Sequence, residues 1–288
     1  MRAENILRAQ ACLAEGPIWW RGQLLWIDIE RGELHRFDPK TGEDVAVPCG
    51  EKVGTVVPRA AGDSVIVAKT TELATLDLQT GQQVSLPSPD RSLLGDRFND
   101  GKCDPHGRLF VGTTEETSGQ PGNARLFRYD PDFTCTELFD GATISNGLCW
   151  DAARQLMFYI DTPTGRIDLF DYDNDTGAIA NRRPLLDIPD GWGHPDGMTR
   201  DAAGNLWVAF YDGWAVRCLD SHNGKLLEEI RLPVPHVTAC AFGGEDLRTL
   251  FITTGSRDVQ DHDALPEAGD LFACVPGVDG EPATPFAG

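Results

Sequence analysis

The sequence predicts an all-β fold, a six-bladed β-propeller of four-stranded antiparallel blades. Three observations predict it: strand-like runs along the whole 288-residue chain, no helical periodicity between them, and a repeat of about 48 residues. The runs are short and rich in Val, Ile, Leu, Phe, Tyr and Trp, as in LLWIDI, SVIVAK, RLFVGTT, LMFYID, NLWVAFY and TLFITT, and Gly, Asp, Asn and Pro punctuate them. GPIWWRGQLLWIDI, GKCDPHGRLFVGTT, GLCWDAARQLMFYID, GMTRDAAGNLWVAFY and CAFGGEDLRTLFITT share one grammar, a short strand, a polar turn and a strongly apolar strand. Asn99 to Asn146 is 47 residues and Asn146 to Asp196 is 50, so the chain holds six such units.

A third strand follows at ELHRFD, RLFRYD, RIDLFDYD and AVRCLD, and the second unit, AAGDSVIVAKTTELATLDL, is weaker but readable. The last unit lacks a fourth strand, while ILRAQACLA precedes the first unit unpaired. That segment is therefore expected to close the ring as the outer strand of the last blade, which removes the exposed edges. No linker or low-complexity stretch divides the chain, so residues 1–288 read as a single propeller domain.

Composition narrows the function. A formal charge of −20, from 45 acidic against 25 basic residues, repels phosphate backbones and anionic membranes, so neither nucleic acid nor membrane is expected as a partner. The eight cysteines form no CxxC pair and several sit in apolar runs, which reads as buried thiols in a reducing compartment. The N-terminus MRAENILRAQACLAEG has no apolar core of signal-peptide length, and no run of 18 apolar residues occurs. A soluble, cytoplasmic protein is expected, a monomer or weak homo-oligomer acting on a small molecule.

The chemistry gathers where each inner strand begins. The residue before the glycine there is Glu15 in EGP, Asn146 in SNGL and Asp196 in PDGM, while RFNDGK places Asn99 and Asp100 before Gly101. Radial repetition brings four oxygen-bearing side chains, one from each of these four blades, to one end of one channel. Two carboxylates and two amides suit a hard divalent cation, Ca²⁺ first, with Zn²⁺, Mn²⁺ and Mg²⁺ as alternatives. A lone Asn-Gly or Asp-Gly is ordinarily a turn, and the argument for a site is the repeated position. No GxSxG, HExxH, phosphate loop or GxGxxG is present.

The combination EGPIWW, RFNDGKCDPHGRLFVGT, ISNGLCWD, PDGMTRDAAGNLWVA and FGGEDLRTLFITT resembles the gluconolactonase and regucalcin family, also called senescence marker proteins, over nearly the whole chain. The resemblance implies a metal held by Glu15, Asn146 and Asp196, with Asn99 adding a direct or water-mediated contact. It implies Asp196 as general base as well as ligand, and Arg97 and Asn99 as contacts to the sugar lactone. An acidic residue of the family after its GTM segment corresponds to Glu115 or Glu116 of GTTEET, with Glu115 preferred. The implied activity is metal-dependent hydrolysis of a sugar (aldono-) lactone.

In an up-and-down blade the loops between second and third strands ring the channel mouth, here EETSGQPGN, DTPTGR, YDGW and GSRDVQDHDALPEAG, the last a candidate lid. Tyr211, Trp214 and Trp192 are candidates for stacking on a sugar, and His194 either lines the site or plays a local structural part. Two other classes of function use the same fold: a non-catalytic calcium-binding regulatory propeller and a protein-interaction propeller.

Overall fold

The computed structural model describes residues 1–93, 95–115 and 121–288. Six four-stranded antiparallel sheets are arranged as the blades of a six-bladed propeller, and the inner strands are Ala14–Trp20, Val53–Pro58, Arg97–Cys103, Ser145–Asp151, His194–Arg200 and Val237–Gly243. The first five blades run inner to outer in chain order. In the sixth, the outer strand is Glu4–Leu7 from the N-terminus, paired antiparallel with Leu271–Cys274. The ring is closed as the sequence led us to expect, but the closing strand is shorter than ILRAQACLA and begins earlier. The chain leaves the sheet at Gln10, whose φ is +49°, because the Gln10 N–H donates to Asp270 and the Cys12 and Leu13 N–H groups donate to the buried Asp28 carboxylate.

Why the second strands read as unbroken apolar runs is clear from where the core lies. The buried side chains fall into six clusters, each wedged between two neighbouring blades. Phe158 and Ile160 face blade 5, for example, while Met157 and Tyr159 of the same strand face blade 3. A sheet buried on both faces has no solvent side, so alternation disappears.

The outer strands, Glu43–Pro48, Gln83–Ser85, Cys135–Ala142, Ile179–Asp187 and Leu226–Arg231, mix polar with apolar residues and hold few buried side chains. After the last strand the C-terminal segment runs across the lower face. Gly280 donates its N–H to the Leu247 carbonyl, Arg200 pairs with Glu281 at 2.6 Å, Phe286 donates to Pro58 and Ala287 to Gly107. Glu281–Thr284 thereby cover the lower end of the channel, over a small cavity of about 140 Å³ that Lys102, Cys103, Cys149 and Cys240 also line. All eight cysteines are free thiols, six of them buried. Among the described residues no helix is long and apolar enough to cross a membrane.

Candidate active site

Every inner strand carries one residue more than the strand it pairs with. The register slips between Glu15 and Ile18, Val53 and Thr55, Phe98 and Gly101, Asn146 and Leu148, Pro195 and Met198, and Val237 and Ala239. A bulge turns the side chains beside it away from the regular pleat, here towards the axis. The glycines that follow are required by the close approach of the next blade. A Cβ on Gly147 would lie 2.7 Å from the Asp196 carbonyl oxygen, and one on Gly197 would lie 2.5 Å from the Ala239 Cβ.

These bulges bring Glu15, Asn99, Asn146 and Asp196 into one cavity of about 380 Å³ at the upper mouth, together with Arg97 and His194. All but His194 are buried. Leu13, Ile29, Ile144 and Pro163 are apolar lining residues, and Thr162, Tyr211, Asp212 and Arg257 complete the lining.

Hydrogen bonds set the two amides. Asn146 Nδ2 donates to Thr162 Oγ1 at 2.8 Å, and that hydroxyl donates to the Pro195 carbonyl, the residue before Asp196. The Asn146 Oδ1 is thus the atom turned towards Asn99, whose Nδ2 reaches it at 3.0 Å and also donates to the Ser145 carbonyl at 2.8 Å. The Asn99 Oδ1 accepts from the Arg97 guanidinium, which donates as well to the Phe98 carbonyl. Asn99 therefore joins Arg97 to Asn146, with both polar atoms of its amide engaged by protein. Thr162 was not identifiable from the sequence: it lies in a Thr-Pro-Thr turn with no motif of its own, and only the fold sets it between two blades.

Glu15 accepts the Gly16 N–H at 2.8 Å, yet its carboxyl is pushed up to about 8, by burial first and then by the negative charge of Asp100, against the opposing pull of Arg97 and Lys102. Asp100 lines the lower cavity while Asn99 lines the upper one, as alternation along a strand demands, and burial raises its carboxyl too. Buried acids held close together are costly unless a cation joins them. The oxygens of Glu15 and Asp196 with the turned Asn146 Oδ1 form an oxygen-only set of about two negative charges, which fits a divalent ion of the calcium or magnesium type.

One consequence concerns pH. A cation that takes Glu15 as a ligand would have to displace its proton below about pH 8, so for such a cation affinity is expected to rise about tenfold per pH unit from pH 6 to 8 and level off above, since one unit is 1.36 kcal/mol. Calcium titration calorimetry at pH 6, 7 and 8, in buffers of different ionisation enthalpy, counts the released proton. A pH-independent affinity without proton release would remove Glu15 from the ligand set.

The remaining sequence candidates divide. Glu115 is half-buried at the end of its strand, its N–H bonded to the Thr143 carbonyl, and is not among the cavity-lining residues, while Glu116 lies outside the described residues. Tyr211 lines the cavity. Trp192 and Trp214 do not: the Arg217 guanidinium sits 4.7 Å from the Trp192 ring centroid, and Trp214 is exposed. The long loop supplies one lining residue, Arg257, and is pinned down at its start. Ser256 and Arg257 donate to the Cys12 carbonyl, Arg257 pairs with Glu30 at 3.1 Å, and Val259 packs into the core between blades 5 and 6. Its first residues are thus part of the mouth.

Fold and site together define a six-bladed propeller with an acidic, oxygen-donor site on its axis. Residues 13–256 match the family described as the SMP-30/Gluconolactonase/LRE-like region, and the chain belongs to it. It is 37% identical over 283 residues, 97% of this chain and 96% of the other, to YvrE of Bacillus subtilis (strain 168), a protein assigned by name to the sugar lactone lactonases. It is 38% identical over 286 residues to regucalcin of Gallus gallus, covering 96% of this chain and 95% of that one. The solved structure of a luciferin-regenerating enzyme superposes with a TM-score of 0.92 at 28% identity over 99% of both chains.

Proposed function

We propose that the protein hydrolyses sugar lactones to sugar acids in a reaction that depends on a divalent metal ion, most readily Ca²⁺. The observation that carries this reading is the meeting of two buried carboxylates, an oriented amide oxygen and a buried arginine in one cavity. Family membership and a relative named for lactone hydrolysis support it. Glu15, Asn146 and Asp196 would hold the cation, which when bound supplies Lewis acidity towards the lactone carbonyl.

The chain's own residues do the rest. Asp196 accepts a proton as water adds to the carbonyl carbon, and the ring C–O bond then breaks with a proton passing to the departing oxygen. Arg97, fixed by Asn99, orients the lactone through its guanidinium. Thr162 holds Asn146 in register with the segment that carries Asp196. The product is a hydroxy acid that loses one proton to solution at neutral pH. Free thiols, six of eight buried, fit a reducing compartment such as the cytoplasm.

Relatives named regucalcin favour a second reading, a non-catalytic calcium-binding propeller with the same ligands. Proton release separates the two. The protein is stripped of metal, Ca²⁺, Mn²⁺, Mg²⁺ and Zn²⁺ are returned singly, and five- and six-membered sugar lactones are followed with spontaneous hydrolysis subtracted. Metal-dependent acceleration is expected, whereas tight metal binding with no acceleration on any lactone would establish the binding protein instead.

A further inference from the structure

Asp212 is the acidic residue of the site's rim, and nothing in the chemistry described above uses it. It stands in the tight turn Tyr211–Trp214 with φ +58°, Trp214 following at +56°, two non-glycine residues in the left-handed region around Gly213. Such conformations persist where surrounding structure enforces them. The enforcement is visible: a Cβ on Gly213 would lie 2.2 Å from the Trp192 carbonyl oxygen, the Gly213 carbonyl accepts from Arg217, and the Trp214 N–H donates to the Pro235 carbonyl.

His236 completes the arrangement. It is buried, its Nε2 lies 3.0 Å from Asp212 Oδ1, and its ring stacks flat on Tyr211 with centroids 4.2 Å apart and planes 2° from parallel. Its carbonyl accepts the N–H of Gly255, at the start of the loop that carries Arg257. Asp212 is thus half-exposed to the cavity but held from behind by a buried ring. Arg257, which also lines the cavity, is already paired with Glu30 and Asp258, and the side chains of Leu13, Ile29 and Ile144 in the lining offer no hydrogen bond.

We infer that Asp212, positioned by His236, is a specificity-determining residue that accepts hydrogen bonds from the hydroxyls of the lactone's exocyclic chain. A carboxylate is an acceptor-only group with two oxygens, suited to paired hydroxyl donors. A substrate lacking those hydroxyls leaves the carboxylate without them, and a site built for a hydroxyl discriminates against the analogue without it. The inference rests on the lactonase reading and names its substrate class: aldonolactones that carry a hydroxylated side chain outside the ring.

Six-, five- and four-carbon aldono-γ-lactones share one ring and lose the exocyclic chain stepwise. The native protein with Ca²⁺ is expected to prefer the six-carbon lactone to the four-carbon one at least tenfold in kcat/KM. Asp212→Asn should lower that ratio about tenfold, the scale of a charge-assisted hydrogen bond, with the change carried by KM. His236→Leu should follow it, and His236→Gln, which keeps a donor towards Asp212, should restore most of the preference. An unchanged ratio in Asp212→Asn, or an equal loss on all three lactones, would overturn the inference while leaving the lactonase intact. If the native protein hydrolyses none of the three but accelerates six-membered sugar lactones, this inference falls alone; if it hydrolyses no sugar lactone with any of the four metals, the functional reading falls with it.

Discussion

Asp196→Asn is expected to lower kcat/KM on the best lactone about 10³-fold or more, the largest loss of any single change at the site. General-base catalysis alone contributes on the order of 10²–10⁴. Asp196 also supplies one of the two negative charges proposed to hold the cation, so the variant should bind Ca²⁺ more weakly as well. The comparison that gives the number meaning is Asn99→Ala. Asn99 spends its amide on Arg97, Asn146 and the Ser145 carbonyl, so its removal misplaces partners without deleting a charge. A loss of about 10- to 100-fold is expected there, the range for residues that orient ligands. Steady-state proton release at saturating Ca²⁺, with metal affinity measured in parallel, checks both. Full activity in both variants would sink the assignment of Asp196 as base.

The largest effect on stability is expected at a residue far from the mouth. Asp104 is fully buried and accepts the N–H groups of His106 and Arg108, the Arg108 Nε at 2.6 Å and the Tyr172 hydroxyl at 2.8 Å. Arg108, itself buried, spans to blade 4 by donating to the Asn174 and Asp175 carbonyls. This group bolts blade 3, which carries Arg97 and Asn99, to blade 4, which carries Asn146. Asp104→Ala removes the only carboxylate Arg108 contacts among the described residues and should cost about 3–5 kcal/mol, as breaking a buried pair does. Tyr172→Phe removes one neutral donor to that carboxylate and should cost about 1 kcal/mol. Urea unfolding of both variants tests the order; a loss under 1 kcal/mol for Asp104→Ala would show that the pair contributes little beyond its own desolvation.

How much of the site was legible varies with where each residue lies. Glu15, Asn146 and Asp196 were readable because each stands at the same place in a repeated unit, so periodicity along the chain becomes convergence on the axis. The pair Asn99 and Asp100 was readable only as a pair. Which of them faces the upper cavity depends on the bulge between Phe98 and Gly101, a feature of strand register rather than composition. Thr162 and Asp212 were legible only as members of the mouth loops DTPTGR and YDGW, with nothing to single them out, and His236 gave no signal at all. Each lies in an irregular turn, and its meaning comes from a neighbour on another turn or blade.

The outer strands show the same limit in the fold. Ile179–Asp187 reads IANRRPLLD, with polar and apolar residues mixed and none of them buried, so no long apolar run marks it. The C-terminal segment has no strand pattern, yet Phe286 is buried between blades 2 and 3 and Glu281 is paired with Arg200 beneath the channel.

What the sequence by itself determined is the all-β class, the number of blades, the closure by the N-terminus and the residues aimed at the axis. These follow from local rules, strand propensity and a period of about 48 residues, repeated until the ring closes. What only the tertiary structure decided is the rim: Asp212 set by His236, Arg257 paired with Glu30 across 227 positions of chain, and the lower mouth covered by the last residues. Those contacts join segments whose separation obeys no period. Their energies come from burial and charge pairing in the closed ring, and neither exists until the blades have packed.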